Sequence, residues 1–172
     1  MNTLTLMVGV SGSGKSTYAK TLAKHIRNIE YISRDEIRFK MLEEEGETQY
    51  FGVEQKVFKE FVSRIDKALL EGKHVLADAT HLTPSSRLKL LKSLEVKPNI
   101  LQAIVMDTPL EECLKRNRER TGLALVPENV IHSMYECLKP PKHKEGKYTY
   151  NIIMIKKDNE MLEIKHVEER KA

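Results

Sequence analysis

Leu4, Leu6 and Val8 alternate with Thr5 and Met7, and shortly after them Tyr18, Ala19, Leu22 and Ile26 recur at helical spacing. A period of two followed by one of 3.6 predicts a buried strand at Thr3 to Val8 feeding an amphipathic helix. The alternation then continues. Residues 29–32 read as a second strand, and Val53, Val57, Phe61, Ile65 and Leu69 repeat every four residues along a long helix over 53–70. Residues 74–77 read as a third strand. Thr83-Pro84 then opens a helix, threonine as N-cap and proline in the first turn. A fourth strand covers 100–106. Thr108-Pro109-Leu110-Glu111 matches a capping box with proline at the first helical position, opening a helix that reaches about Arg118. Pro127 opens another through Leu138, and 148–155 is the last clear strand. The charged tail from Lys156 is either a hairpin partner or a frayed end.

This order predicts an α/β fold of three layers, a parallel sheet with helices on both faces. No long Gly/Ser/Pro linker, internal repeat or low-complexity block interrupts it, so one domain over 1–172 is expected, with 156–172 peripheral. A chain of 172 residues buries roughly 70% of its extended surface on folding. With 40% apolar and 31% charged residues the composition excludes a disordered chain. No apolar run approaches the ~20 residues of a membrane span. Met1 to Val10 lacks a basic n-region and a cleavage site, and reads as a strand rather than a signal peptide. Two cysteines, Cys113 and Cys137, do not make a secreted disulfide framework and point to free thiols in the cytoplasm. The net charge of +4 permits a polyanionic partner without identifying one.

The first strong chemical signal is Gly9-Val10-Ser11-Gly12-Ser13-Gly14-Lys15-Ser16, which satisfies G-x-x-x-x-G-K-[ST] at every fixed position. It lies between an apolar strand and an amphipathic helix, as a P-loop NTPase fold requires. Glycines let the backbone adopt positive φ and keep side chains out of the way of amide groups facing phosphates. The helix N-terminus adds partial positive charge there. Lys15 brings a cation to the β- and γ-phosphates of ATP, and Ser16 a hard oxygen ligand for Mg²⁺. Gly9, Ser11, Gly12, Ser13, Gly14 and Thr17 complete the expected nucleotide cradle.

Ser33-Arg34-Asp35-Glu36-Ile37-Arg38 follows the second strand, and strand ends on one edge of a parallel sheet share the ligand crevice. Asp35 would face the terminal phosphate, where a carboxylate can take the proton of an attacking hydroxyl. It can equally be the N-cap of the next helix, or do both. Arg38, three residues on, shares a helix face with Asp35 and is placed to hold an anion on the acceptor. Arg116, Arg118 and Arg120 stand at alternate positions and cannot share one helix face. Arg116 and Arg120, four apart, are expected to face the cleft as an arginine-rich lid that neutralises transferring charge, with Arg118 in solvent.

GVSGSGKST, SRDEIR, DATHLTPSSR and RNRERTGLALVPENVIHSMYECL occur in the order and spacing of the 5′-hydroxyl kinase module of phage polynucleotide kinase–phosphatase, which residues 1–155 resemble. The resemblance implies ATP-dependent phosphorylation of a 5′-OH end of DNA or RNA. It implies Lys15 and Ser16 on ATP–Mg²⁺, Asp35 as general base, Arg38 on the phosphate 3′ of the accepting nucleotide, and Arg120 on the transferring phosphoryl group. Asp78 would contact substrate or hold a Mg²⁺-bound water. No aspartate-based phosphatase module follows, so the kinase alone is expected.

Weaker signals remain. His81 either hydrogen-bonds the acceptor or is a plain loop histidine. Tyr135 either stacks on a base or packs half-buried. Residues 139–147 (KPPKHKEGK) form a basic loop, either a phosphate-backbone contact or solvated surface. Two other functions use the same scaffold, a kinase of a sugar acid, nucleoside or antibiotic, and an ATP-dependent binding module without catalysis.

Overall fold

The first strand, β1 (Thr3–Val8), is buried from Leu4 onward because parallel neighbours flank it on both edges and helices cover both its faces. The computed structural model describes residues 1–46, 50–158 and 161–167. After β1 come α1 (Lys15–Ala23), β2 (Ile29–Ser33), α2 (Arg34–Glu45), α3 (Tyr50–Leu70), β3 (His74–Asp78) and α4 (Pro84–Ser93). Then follow β4 (Ile100–Asp107), α5 (Leu110–Arg118), α6 (Glu128–Cys137), β5 (Lys144–Glu145), β6 (Tyr148–Thr149), β7 (Asn151–Asp158) and β8 (Met161–Val167).

The main sheet runs β2-β3-β1-β4-β7-β8, with the first five strands parallel and β8 antiparallel to β7. This is the α/β P-loop kinase fold. From β1 the chain crosses to β2 on one side, and from β3 it crosses to β4 on the other, so the strand order reverses around β1. The C-terminal ends of β1 and β3 therefore open onto the crevice of a doubly wound sheet. One face of the sheet packs Leu4, Leu6 and Val8 against Val53, Val57, Phe61, Ile65 and Leu69 of α3, the stripe the four-residue repeat predicted. The other face packs Met7, Leu76, Ile104 and Ile155 under Ala19, Tyr18 and Leu22 of α1.

Three expectations are corrected. Ile26 is not on α1, which stops at Ala23, and it is 39% exposed. The chain turns there because Asn28 takes a left-handed conformation (φ 56°), which asparagine tolerates, and its carbonyl then accepts from His74 N at the start of β3. The strand read over 148–155 is two strands, because 148–149 pair with β5, a pairing that Tyr150 N continues by donating to His143 O at 2.8 Å, and β7 begins at Asn151 beside β4. Thr108 does not cap α5. Its hydroxyl donates instead to Ser13 O at 2.9 Å, and Pro109 occupies the cap position. By contrast Thr83 caps α4 as expected, in a reciprocal box with Ser86 and with proline in the first turn. Within the tail after Lys156, Met161–Val167 pairs antiparallel with β7 as β8, the hairpin alternative. Cys113 is a buried free thiol and Cys137 an exposed one. No described helix is long and apolar enough to cross a membrane.

Candidate active site

The turn after β1 takes the shape that its glycines permit. Gly12 and Gly14 have φ of 82° and 94°, and a Cβ on Gly12 would sit 2.4 Å from the Cys113 carbonyl oxygen. The loop thus rests directly on the first turn of α5, and a side chain at Gly12 has no room. Gly9 N donates to Thr80 O at 3.1 Å and Ser13 N to Val10 O at 3.2 Å. Lys15, 8% exposed, folds back across this turn and donates its ammonium to Val10 O at 2.8 Å and Ser13 Oγ at 3.5 Å. Burial pushes its pKa below the ordinary lysine range, against the pull of the Asp78 and Asp35 charges and together with the Arg120 charge. A buried cation at the mouth of a glycine cradle fits a phosphate group. Thr17 is exposed in the first turn of α1 and Ser11 half-buried in the loop.

Asp78 ends β3 beside β1 and is 4% exposed. One of its oxygens, Oδ2, accepts from Ser16 Oγ at 2.6 Å and from Tyr31 OH at 2.7 Å. A serine hydroxyl and a carboxylate on one centre are hard oxygen donors, the set Mg²⁺ takes. Tyr31 was not singled out by its sequence. Only strand register, with Ser33 opposite Asp78 and Tyr31 two residues back on the same face of β2, brings it here. Burial and Asp78 raise its phenol pKa, so it is a donor at neutral pH.

Asp35 is not the N-cap of α2. Ser33 is, its hydroxyl accepting from Glu36 N at 3.2 Å. This frees the Asp35 carboxylate, 66% exposed, to pair with Arg38 Nη1. Arg38 is buried and also donates through Nε to Glu54 of α3, which in turn accepts from Arg34 Nη2 at 2.9 Å. Burial weakens the Arg38 charge, but Glu54 and Asp35 outweigh it and raise its pKa. Glu54 is likewise held below the usual carboxylate range, the arginines overcoming its own burial. It is the second residue that the sequence did not mark, one polar position next to the apolar stripe of α3.

The arginine segment is only partly helical. α5 ends at Arg118, and Arg120 lies beyond it, so Arg116 and Arg120 do not share a helix face. The cause is Asn117, 1% exposed, which donates to Val126 O (2.7 Å) and accepts from Val126 N (3.0 Å), drawing 119–126 into a closed loop. Arg116 Nη1 donates to Gly12 O at 3.4 Å and its Nε to Glu112 at 2.8 Å. Arg120 is half-buried and close enough for its charge to act on Lys15. Arg118 is exposed and paired with Glu128.

His81, expected beside the acceptor, is instead 6% exposed at a φ of 45°, its Nδ1 2.8 Å from Met7 O and its ring 6.3 Å from Phe61. A carbonyl partner requires the proton on Nδ1. Burial lowers its pKa to about 4. It holds the loop after β3 to β1.

The AAA domain family matches residues 4–141. A protein of Autographa californica nuclear polyhedrosis virus named as a bifunctional polynucleotide kinase/RNA ligase is 28% identical over 148 residues, covering 79% of this chain and 21% of that protein. A chain of the Pnkp1/Rnl/Hen1 RNA repair complex superposes with a TM-score of 0.69 at 25% identity, covering 80% of this chain and 44% of that one. A sugar kinase from Janibacter sp. HTCC2649 superposes at 0.62 with 18% identity over 90% of this chain and 85% of that one, a likeness of fold. The chain thus spans about a fifth of the viral relative and under half of the repair-complex chain.

Proposed function

The chain belongs to the AAA domain family, and from that premise we propose that it is an ATP-dependent polynucleotide 5′-hydroxyl kinase. The observation that carries this reading is one crevice edge. Lys15 follows β1, Asp78 ends β3, and Asp35 with Arg38 follows β2, with the charges of Asp35 and Asp78 both acting on Lys15. In this reading the glycine loop and Lys15 bind the β- and γ-phosphates, and Ser16 with Asp78 holds Mg²⁺. The metal, when bound, spreads the negative charge of the phosphates. Asp35 accepts the proton of the 5′-hydroxyl as its oxygen attacks the γ-phosphorus, and ADP leaves. Arg120 stabilises the charge on the transferring group, and Arg38 grips the phosphate 3′ of the acceptor. The polynucleotide kinase/RNA ligase and the RNA repair complex among the similar proteins support a nucleic-acid acceptor.

The test is transfer of label from [γ-³²P]ATP to a 5′-OH oligonucleotide. Lys15→Ala abolishes it, and Asp35→Ala lowers it by about 10²–10⁴-fold, the range of a general base. A full rate in Asp35→Ala removes the base assignment. Arg38→Ala separates the acceptor classes, because a metabolite without a 3′-phosphate offers it nothing to hold. Unchanged apparent affinity for oligonucleotides in Arg38→Ala would favour a small-molecule kinase.

A further inference from the structure

Residues 139–147 hide their one acidic side chain and present their basic ones. Lys139, Lys142, Lys144 and Lys147 are exposed, whereas Glu145 is 7% exposed and occupied by Arg87. Arg87 has no exposed surface at all. Its Nε donates to Glu145 Oε2 at 2.9 Å and its Nη2 to Oε1, while Nη1 donates to His81 O (2.8 Å) and Lys139 O (3.0 Å). Lys139 N donates to Leu82 O at 2.9 Å, and Lys142 N to Glu145 Oε1 at 3.4 Å. A run of like charges repels itself and is ordinarily a mobile surface. Here it is clamped, by a buried ion pair that is a costly way to hold a loop compared with apolar packing. The clamp fastens it to residues 81–82, three and four positions beyond Asp78 in the loop that leaves the crevice. Among the described residues, none of Lys139, Lys142 and Lys144 is paired with a carboxylate. Lys144 lies opposite Thr149 in the β5–β6 pair, and Thr149 lines a groove before β4 together with Lys147, Lys97 and Asn99, so the run leads from the loop at Leu82 toward the other end of the sheet. The exposed residues of the segment are lysines, a proline and a glycine, with no apolar side chain to enter a bilayer.

We propose that Lys139, Lys142 and Lys144 form a phosphate track for single-stranded nucleic acid, gripping the acceptor strand beyond the nucleotide whose 5′-hydroxyl is phosphorylated. The proposal rests on the kinase reading above and extends it from an end-binding cleft to a strand-binding surface. Lys139 and Lys144 are separated by about 17 Å of chain at most, a reach that can meet more than one phosphate of a strand. The track makes the enzyme prefer long acceptors, and that preference depend on salt.

The experiment compares wild type with Lys139→Gln/Lys142→Gln/Lys144→Gln. Binding of a fluorescent 5′-OH 15-mer is followed by anisotropy from 50 to 300 mM salt. Kinase kcat/KM is measured on the 15-mer and on a nucleoside 3′-phosphate. Each lost contact lowers the salt slope by about 0.7 for a single strand, so the triple variant loses about 2 from the slope and roughly tenfold or more in affinity at low salt. Its kcat/KM falls similarly on the 15-mer and stays within about twofold on the nucleoside 3′-phosphate. A wild-type slope in the variant overturns the proposal, as does an equal fall on both acceptors or a wild type that does not bind the 15-mer. Lysine-dependent binding without phosphate transfer would leave the track standing and refute the kinase reading instead.

Discussion

His81 adopts a φ of 45° with its Nδ1 against the Met7 carbonyl and 6% of its surface exposed. Its folded pKa of about 4 against 6.5 makes the unfolded chain the better proton binder between those values. Stability is therefore full above pH 6.5 and falls as pH drops toward 4, by about 3 kcal/mol for a shift of this size. His81→Asn keeps an amide donor for Met7 O and a residue that tolerates positive φ, but has nothing to protonate. Thermal melts from pH 7.5 to 4 should show the wild-type midpoint dropping more steeply than that of the variant. Parallel curves would sink this account. The same scale shows why the sequence left His81 as either an acceptor contact or a plain loop histidine. Its neighbourhood in the chain, between Asp78 and the cap of α4, is that of a cleft loop, and only the reach of its ring to β1 reveals a core residue.

Arg87 joins the loop after β3 to two points much later in the chain, Lys139 beyond α6 at 52 positions and Glu145 of β5 at 58 positions. Removing one member of such a pair strands a buried charge, whereas replacing both with apolar groups does not. Arg87→Met should cost about 3–5 kcal/mol in urea melts, and adding Glu145→Leu should recover a large part of it. A double variant no better than the single one would mean that the backbone contacts of Arg87, not Glu145, carry the effect. The start of α4 was legible in the residues because a cap is local, Thr83, Pro84 and Ser86 within four positions. The Arg87–Glu145 pair spans 58 positions and leaves no local trace. Thr108 shows how a local signal misleads. Its pattern fits a cap, but the nearby Ser13 carbonyl, 95 positions away in the chain, takes its hydroxyl as donor.

At the scale of the molecule, the layered plan and the parallel sheet were legible in the alternation of periods, since a strand followed by a helix has few ways to bury both apolar faces, whereas the strand order and the β5–β6 pair were not. The glycine turn between β1 and α1 and the shared face of Asp35 and Arg38 on α2 were legible because short motifs carry them. Tyr31 and Glu54 were not, because each acquires its partner only when β2 meets β3 or α3 meets α2. One further consequence lies in the contacts of Lys15 and Ser16. The lysine ammonium rests on the Val10 carbonyl and the serine hydroxyl on Asp78, so the turn is braced by its own groups. A turn braced in this way takes a nucleotide by exchanging partners, with no refolding. Stopped-flow mixing with a fluorescent ATP analogue should give one exponential phase whose rate rises in proportion to concentration, whereas a plateau would reveal a slow rearrangement that this geometry does not call for.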